Sequence, residues 1–272
     1  MKRAIGLQIR YRHSPLEILK KAAQLQIRTT QCFLLSEKEF PATLSKSEQI
    51  IFKRQKAASL DTLYAHASYR INLACPIRHY HPILVKELHI AQMLGCSSII
   101  LHPGSASTVT EGINALARII NRLHVKYPEI RLVLENVAFK APSIGGNLIH
   151  FKELLTKLNW PENMFFCIDT AHAYAAGYDL VHEKDRFIDL LERTIGLEQI
   201  MLIHLNDTPT PLESYTDIHC SLGHGNIGQE ALRRFALDPR IMHIPIILEL
   251  PIMKQNEEKQ ILTLVESWHK GD

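Results

Sequence analysis

The strongest constraint in this chain is an alternation. Short apolar or β-branched runs recur at Ala4–Ile9, Thr29–Leu35, Thr62–His66, Ser98–His102, Leu132–Glu135, Phe165–Asp169, Met201–His204 and Ile246–Glu249. Amphipathic stretches of helical period lie between and after them, at Leu16–Leu25, Ile77–Leu94, Gly112–Lys126, Leu148–Leu158, Arg186–Ile195, Gln229–Phe235 and Glu257–Trp268. Strands that alternate with helices build parallel β/α units. Eight repeats with no linker between them predict an α/β fold: a single (β/α)8 TIM barrel of parallel strands and outer helices over residues 1–272. An open doubly wound sheet competes, but Gly6-Leu7-Gln8-Ile9-Arg10 carries one glycine and makes no nucleotide-binding turn. The Pro/Gly/Ser-rich stretches, such as His102-Pro103-Gly104-Ser105, follow strands, where a barrel keeps its chemistry.

A length of 272 residues with 46% hydrophobic content suffices to bury such a core. No apolar run approaches the ~18 residues of a membrane helix, so neither membrane insertion nor secretion is expected. The five cysteines (Cys32, Cys75, Cys96, Cys167, Cys220) are odd in number, widely spaced and free of any C-x-x-C pair. A disulfide scaffold is not expected, and a reducing cytoplasm is. Charge is uneven: residues 1–100 carry 15 Lys/Arg against 6 Asp/Glu, and residues 101–272 carry 16 against 22. A basic first third suits phosphates, and equally an ordinary solvated helix face.

More informative is what ends each run. His66, His102, Glu135, Asp169, His204 and Glu249 close six consecutive strands, and all six can bind a metal. Each follows a run that would otherwise be buried, and an unpaired buried ionisable group is costly. One such residue is commonly a hydrogen-bonded rim group or a helix cap; six in register point to convergence on one face of the barrel. Carboxylates crowded there repel unless a cation compensates. Asp169-Thr170-Ala171-His172 adds a histidine one turn beyond a strand end, and Asp217-Ile218-His219 places two side chains on one side of an extended segment. The set is nine candidate ligands, five His and four carboxylates. That mixture suits Zn²⁺, Mn²⁺ or Fe²⁺.

At these positions the chain resembles the endonuclease IV family of apurinic/apyrimidinic endonucleases, within the xylose-isomerase-like TIM barrels. The matching segments are 65–74 (AHASYRINLA), Leu101-His102-Pro103-Gly104-Ser105, Leu134-Glu135-Asn136, 167–179 (CIDTAHAYAAGYD), His204-Leu205-Asn206-Asp207, 223–228 (GHGNIG) and Leu248-Glu249. The resemblance implies a trinuclear zinc centre. His66, His102 and Glu135 would hold one ion. Glu135 would bridge to a second, held also by Asp169, His204 and Glu249, and His172, Asp217 and His219 would hold a third. Glu135 and Glu249 are the carboxylates it makes catalytic. The implied reaction is hydrolysis of the phosphodiester 5′ to an abasic site in double-stranded DNA, leaving a 3′-hydroxyl, by a monomer. Two close ions acidify a shared water and a third neutralises the phosphate, so no serine or lysine nucleophile is required. Asn136, Asn206 and Asp207 are candidates for orienting the ligands, or for loop hydrogen bonds alone.

The chain also departs from the family pattern. Its first strand has Gly6-Leu7-Gln8-Ile9-Arg10 in place of Gly-x-His-x-Ser. Leu34-Leu35-Ser36-Glu37-Lys38-Glu39-Phe40 lacks the Arg or Trp of the loop that inserts into DNA, and His224 replaces an acidic residue. Tyr69 keeps the position of a base-stacking aromatic, and Arg70 replaces its apolar neighbour; both are DNA-contacting candidates. The rival is a sugar isomerase or epimerase on the same barrel. It would share only Glu135, Asp169, His204 and Glu249, with no use for His66, His102, His172, Asp217 and His219. A non-catalytic nucleic-acid-binding relative is a third possibility, which no gap in the ligand set supports.

Overall fold

In a computed structural model, residues 3–34, 44–75 and 81–269 are described. Eight parallel strands, β1 (Ile5–Ile9), β2 (Thr29–Phe33), β3 (Thr62–His66), β4 (Ser98–Leu101), β5 (Arg131–Glu135), β6 (Phe165–Asp169), β7 (Ile200–His204) and β8 (Ile246–Leu248), close into a barrel in sequence order. Around them lie α1 (Leu16–Leu25), α2 (Lys46–Ser59), α3 (His81–Met93), α4 (Val109–Lys126), α5 (Ile149–Leu155), α6 (Thr170–Ala175), α7 (Lys184–Thr194), α8 (Gln229–Ala236) and α9 (Gln255–Ser267). The predicted TIM barrel is the observed fold. No helix among the described residues is long and apolar enough to cross a membrane.

All eight expected strands form. Three end earlier than the sequence pattern suggests: β2 stops at Phe33, and His102 and Glu249 stand one residue beyond β4 and β8. Leu35 of the second run and residues 77–80 of the helical stretch Ile77–Leu94 lie outside the described residues. Two helices are absent from the sequence reading. Of α2, only Phe52 is buried, so its apolar period is weak. Its signal is instead a capping box: Ser45 Oγ accepts the Glu48 N–H at 3.3 Å and Glu48 Oε2 accepts the Ser45 N–H at 2.8 Å. The short α6 is hidden because Asp169, read as a strand end, also caps it, accepting the His172 N–H at 2.9 Å.

The strand period of two sorts the side chains into two cores. Leu63, Ala65, Ile99, Leu101, Leu132, Leu134, Phe166, Ile168, Ile203, Ile246 and Leu248 pack outward against the helices. Tyr64, Ile100, Val133, Cys167, Leu202 and Ile247 fill the barrel interior. His66, His102, Glu135, Asp169, His204 and Glu249 each stand two residues beyond one of these six, so the same alternation turns all six inward, one layer above the apolar plug. Gly6 permits the tight closure of β1 on β2, because a Cβ there would lie 2.0 Å from the Thr29 carbonyl oxygen.

Candidate metal centre

Glu135 is the hub of the interior layer. It is fully buried, with Oε2 3.1 Å from Nε2 of His66 and 3.1 Å from Nε2 of His102. Its Oε1 lies 2.8 Å from Nδ1 of His204 and 3.5 Å from Nδ1 of His172. His204 Nδ1 is also 3.4 Å from Glu249 Oε2. On the far side His172 Nε2 stands 3.1 Å from Asp217 Oδ1, and His219 Nε2 stands 3.5 Å from Asp169 Oδ2 and 3.6 Å from Asp217 Oδ1. All nine candidate ligands therefore meet in one pocket.

Ligand atoms fall into overlapping groups whose members lie within 4.8 Å of one another: His66–His102–Glu135, Glu135–Asp169–His204–Glu249, and Asp169–His172–His219. The first two match the expected sets. In the third Asp169 stands where the resemblance has Asp217, which closes the same group through its contacts with His172 and His219. Cys167 also lies near Glu135 and His204, and burial pushes its thiol pKa up to about 12.

The donor set fits cations. The buried Nε2 atoms of His102, His172 and His219 have no hydrogen-bond partner, although carboxylate oxygens stand 3.1–3.6 Å away. Nitrogen lone pairs and carboxylate oxygens facing one another across that gap are what a shared divalent ion satisfies. Elsewhere on the rings the protons are placed by neighbours. His66 Nδ1 donates to the Ala67 carbonyl at 2.7 Å, and His172 Nδ1 donates to the Asn136 carbonyl at 2.9 Å, each leaving Nε2 inward. His204 Nε2 donates to Gln31 Oε1 at 2.9 Å, which leaves Nδ1 toward Glu135.

Electrostatics point the same way. Burial opposes ionisation of Glu135, yet the His204 and His102 imidazoles hold its carboxyl well below the usual range. Burial likewise opposes charge on His172, but Asp169, Asp217 and Glu135 drive its pKa well above the ordinary histidine value. Asp217 is lowered to about 2, burial being outweighed by His172 and His219. The pocket thus favours positive charge among its imidazoles.

Asparagines fix the carboxylates. Asn206 Nδ2 donates to Asp169 Oδ2 at 2.6 Å and to Glu249 Oε2 at 3.2 Å, while its Oδ1 accepts the Glu249 N–H at 2.9 Å. Asn136 Oδ1 accepts the Asp169 N–H at 2.7 Å. Asp207 plays the other role considered for it. Its carboxylate gathers the N–H groups of Thr208, Gly223, Gly225, Ile227 and Gly228, and so shapes the loop 221–228.

Three polar residues lie outside the site expected from sequence, Gln8 among them although it stands where the family pattern has histidine. Gln31, inward on β2, donates to Glu249 Oε1 at 2.8 Å and accepts from His204. Gln8, inward on β1, borders the same space. The signal for both is a polar residue within an otherwise apolar run, which burial obliges to find a partner. Glu87 of α3 is completely buried, and its carboxylate oxygens accept the Ser68 N–H at 3.2 and 3.1 Å, bracing the loop after β3. Burial pushes its pKa from an ordinary value near 4.5 up to about 7, against the Ser68 N–H and His66. The native state therefore holds an extra proton between pH 4.5 and 7, and stability falls as pH rises through that window. Glu87→Gln removes the effect. Its advantage in unfolding free energy over the unaltered chain should widen across that window, toward about 3 kcal/mol, and then level off. A constant difference would contradict the assignment.

Tyr69 lies at the rim, 58% exposed, with ring centroids 4.9 Å from His102, 5.4 Å from His66 and 5.6 Å from Phe33. It stands between cavities of about 300 and 350 Å³, the first reaching Gln8, His219 and Glu249, the second reaching His102 and Phe139. Arg70 beside it is exposed. Asn72 ties this loop to the next: its Oδ1 accepts the Ser105 N–H at 3.1 Å and its Nδ2 donates to the Ser105 carbonyl at 2.9 Å. The approach requires Gly104, at φ +92°, where a Cβ would meet Asn72 Oδ1 at 2.0 Å. Of the Leu34–Phe40 segment, 35–40 lies outside the described residues.

Comparison with known proteins identifies the family of the chain. The family model described as xylose isomerase-like TIM barrel matches residues 19–270. A probable endonuclease 4 of Thermosipho melanesiensis is 33% identical over 250 residues, covering 86% of this chain and 88% of that protein. The apurinic-apyrimidinic endonuclease 1 of Schizosaccharomyces pombe is 34% identical over 208 residues, 74% of this chain and 61% of its own. The crystal structure of endonuclease IV from Thermus thermophilus superposes with a TM-score of 0.84 at 30% identity, covering 98% of each chain. A sugar phosphate isomerase/epimerase from Parabacteroides distasonis shares the fold at 15% identity and a TM-score of 0.62. By sequence and by fold, the chain belongs to the endonuclease IV family of nucleases within the xylose isomerase-like TIM barrels.

Proposed function

We propose that this chain repairs DNA by hydrolysing the phosphodiester 5′ to an abasic site in duplex DNA, leaving a 3′-hydroxyl. In this reading it acts as a cytoplasmic monomer, one domain over residues 1–272, with three divalent ions, zinc foremost and Mn²⁺ or Fe²⁺ admissible at some positions. The observation that carries the proposal is the convergence of nine ligand-type side chains in one pocket, three of them with orphaned buried nitrogens. His66, His102 and Glu135 would hold one ion; Glu135, Asp169, His204 and Glu249 a second; His172, Asp217 and His219 a third. Ions bound there supply an activated water at neutral pH and neutralise charge on the phosphate and the departing oxygen.

The chain's own residues do the rest. Glu135 offers one oxygen to each of two groups, which suits a bridge. Glu249 is fixed by Gln31 and Asn206, so its carboxylate meets substrate without rearranging. Tyr69 presents an exposed ring at the mouth, suited to stacking where a base is missing or displaced, and Arg70 suits the groove or backbone beside it. The unpaired cysteines suit a reducing compartment.

A duplex oligonucleotide bearing one abasic site should be incised in a chelator-sensitive way, with a 3′ end that a polymerase extends. The isomerase reading would win if Zn²⁺ or Mn²⁺ gave no incision while the protein interconverted a keto-sugar. His66, His102, His172, Asp217 and His219, all gathered in the pocket, favour the nuclease.

A further inference from the structure

β1 contributes none of the nine candidate ligands, yet it walls the same space. Ile5, Leu7 and Ile9 belong to the outer core. The strand period therefore turns Gly6 and Gln8 to the interior, with Arg10 following at the mouth. Pairing sets Gln8 opposite Gln31 of β2, and Leu7 opposite Leu248 of β8, so Gln8 stands level with Glu249. The Gln31 amide is spent on Glu249 and His204. That of Gln8 is not: the residue is 6% exposed, and neither Nε2 nor Oε1 has a hydrogen-bond partner. It borders the cavity of about 300 Å³ that Arg10, Tyr69, His219 and Glu249 also line.

A buried carboxamide with both ends bare is costly, so the side chain is complementary to something that enters the cavity. Its chemistry restricts what that is. Phosphate oxygens only accept, and would leave Oε1 unsatisfied; a hydroxyl both donates and accepts, and satisfies both ends. Arg10, whose Nη1 donates to the Leu250 carbonyl at 3.1 Å, presents the guanidinium that suits a phosphate nearby. An abasic deoxyribose in its hemiacetal form carries a hydroxyl at C1′, where an intact nucleotide carries its base.

We infer that Gln8 is a specificity-determining residue that pairs with the C1′ hydroxyl of the abasic sugar while Arg10 holds the adjoining phosphate. The inference rests on the abasic-site reading above. The test compares kcat/KM on two duplexes that differ in one group, a natural abasic site and its tetrahydrofuran analogue, which lacks the hydroxyl. The unaltered, metal-loaded protein should prefer the natural site by about tenfold, the worth of one neutral hydrogen bond. Gln8→Leu, close in volume and without polar atoms, should bring that ratio to about one and leave cleavage of the analogue within about twofold. Arg10→Ala should slow both substrates alike. Because the ratio is taken on one preparation, a misfolded fraction cancels; if Gln8→Leu is not recovered, Gln8→Met decides in the same way. A ratio near one in the unaltered protein, or an undiminished preference in the variant, overturns the assignment of Gln8 and leaves the abasic-site reading standing. Failure of the unaltered protein to cut either duplex overturns both.

Discussion

Glu135→Gln is expected to lower phosphodiester cleavage by about 10³-fold or more and to reduce the divalent metal that copurifies. Glutamine fills the same volume, so packing around the completely buried side chain survives. What changes is the set of donors. Glu135 turns an anionic oxygen to His66 and His102 and another to His204 and His172. An amide has one neutral oxygen, and its NH₂ has no lone pair to offer a second ion. Two groups of ligand atoms lose their common member in one substitution. A metal-supported transition state is worth several kcal/mol, and about 4 kcal/mol corresponds to the 10³-fold quoted. Circular dichroism should remain native. Unchanged turnover with undiminished metal would mean that Glu135 does not bridge.

Stripping the protein with a chelator should have a comparable effect on activity and a separate one on stability. Cleavage should fall to background and return on adding Zn²⁺ or Mn²⁺. An ion held at about a thousand times its Kd stabilises the native state by about 4 kcal/mol, and each kcal/mol moves Tm by about 2–4 °C in a domain approaching this size. A drop in Tm of about 8–16 °C follows. The stripped protein should also acquire its own pH profile. His66, His172 and His204 have raised pKa values, burial being overcome by Glu135 and Glu249 at His66, by Asp169, Asp217 and Glu135 at His172, and by Cys167, Glu249 and Glu135 at His204, so their contribution is complete below about pH 6.5 and is lost as pH rises through the native values. Glu135 and Asp217 are depressed, so their contribution is present above about pH 4 and is lost on acidification. Stability of the stripped form should therefore peak in mildly acidic solution. Restored ions should sustain it at higher pH, because they bind the deprotonated ligands. A Tm indifferent to the chelator would argue that nothing is bound in the cluster.

The sequence and the structure diverge where physical chemistry leaves no mark on residue type. The strand ends were legible because His66, His102, Glu135, Asp169, His204 and Glu249 interrupt apolar runs at one phase of the period of two, and only a common face explains six such interruptions. The third ligand group was legible from spacing, in Asp217 and His219 at alternate positions of one segment. α2 was not, since a helix with one buried side chain leaves almost no periodicity, and its capping box is a local signal. Gln8, Gln31 and Glu87 escaped because their importance is positional: each is an ordinary polar residue until the barrel closes and buries it. Asn206 and Asp207 adjoin in sequence and diverge in role, one clamping two carboxylates and the other organising a loop. Which of two neighbouring side chains turns inward depends on a register that only the folded sheet defines.

The pocket around Glu135 is expected to hold several cations at once, and elemental analysis of freshly purified, unchelated protein tests this most directly. Close to three divalent ions per chain, with zinc predominating, is the expected result. Metal at one equivalent or below, in protein that is folded and active on abasic DNA, would contradict it.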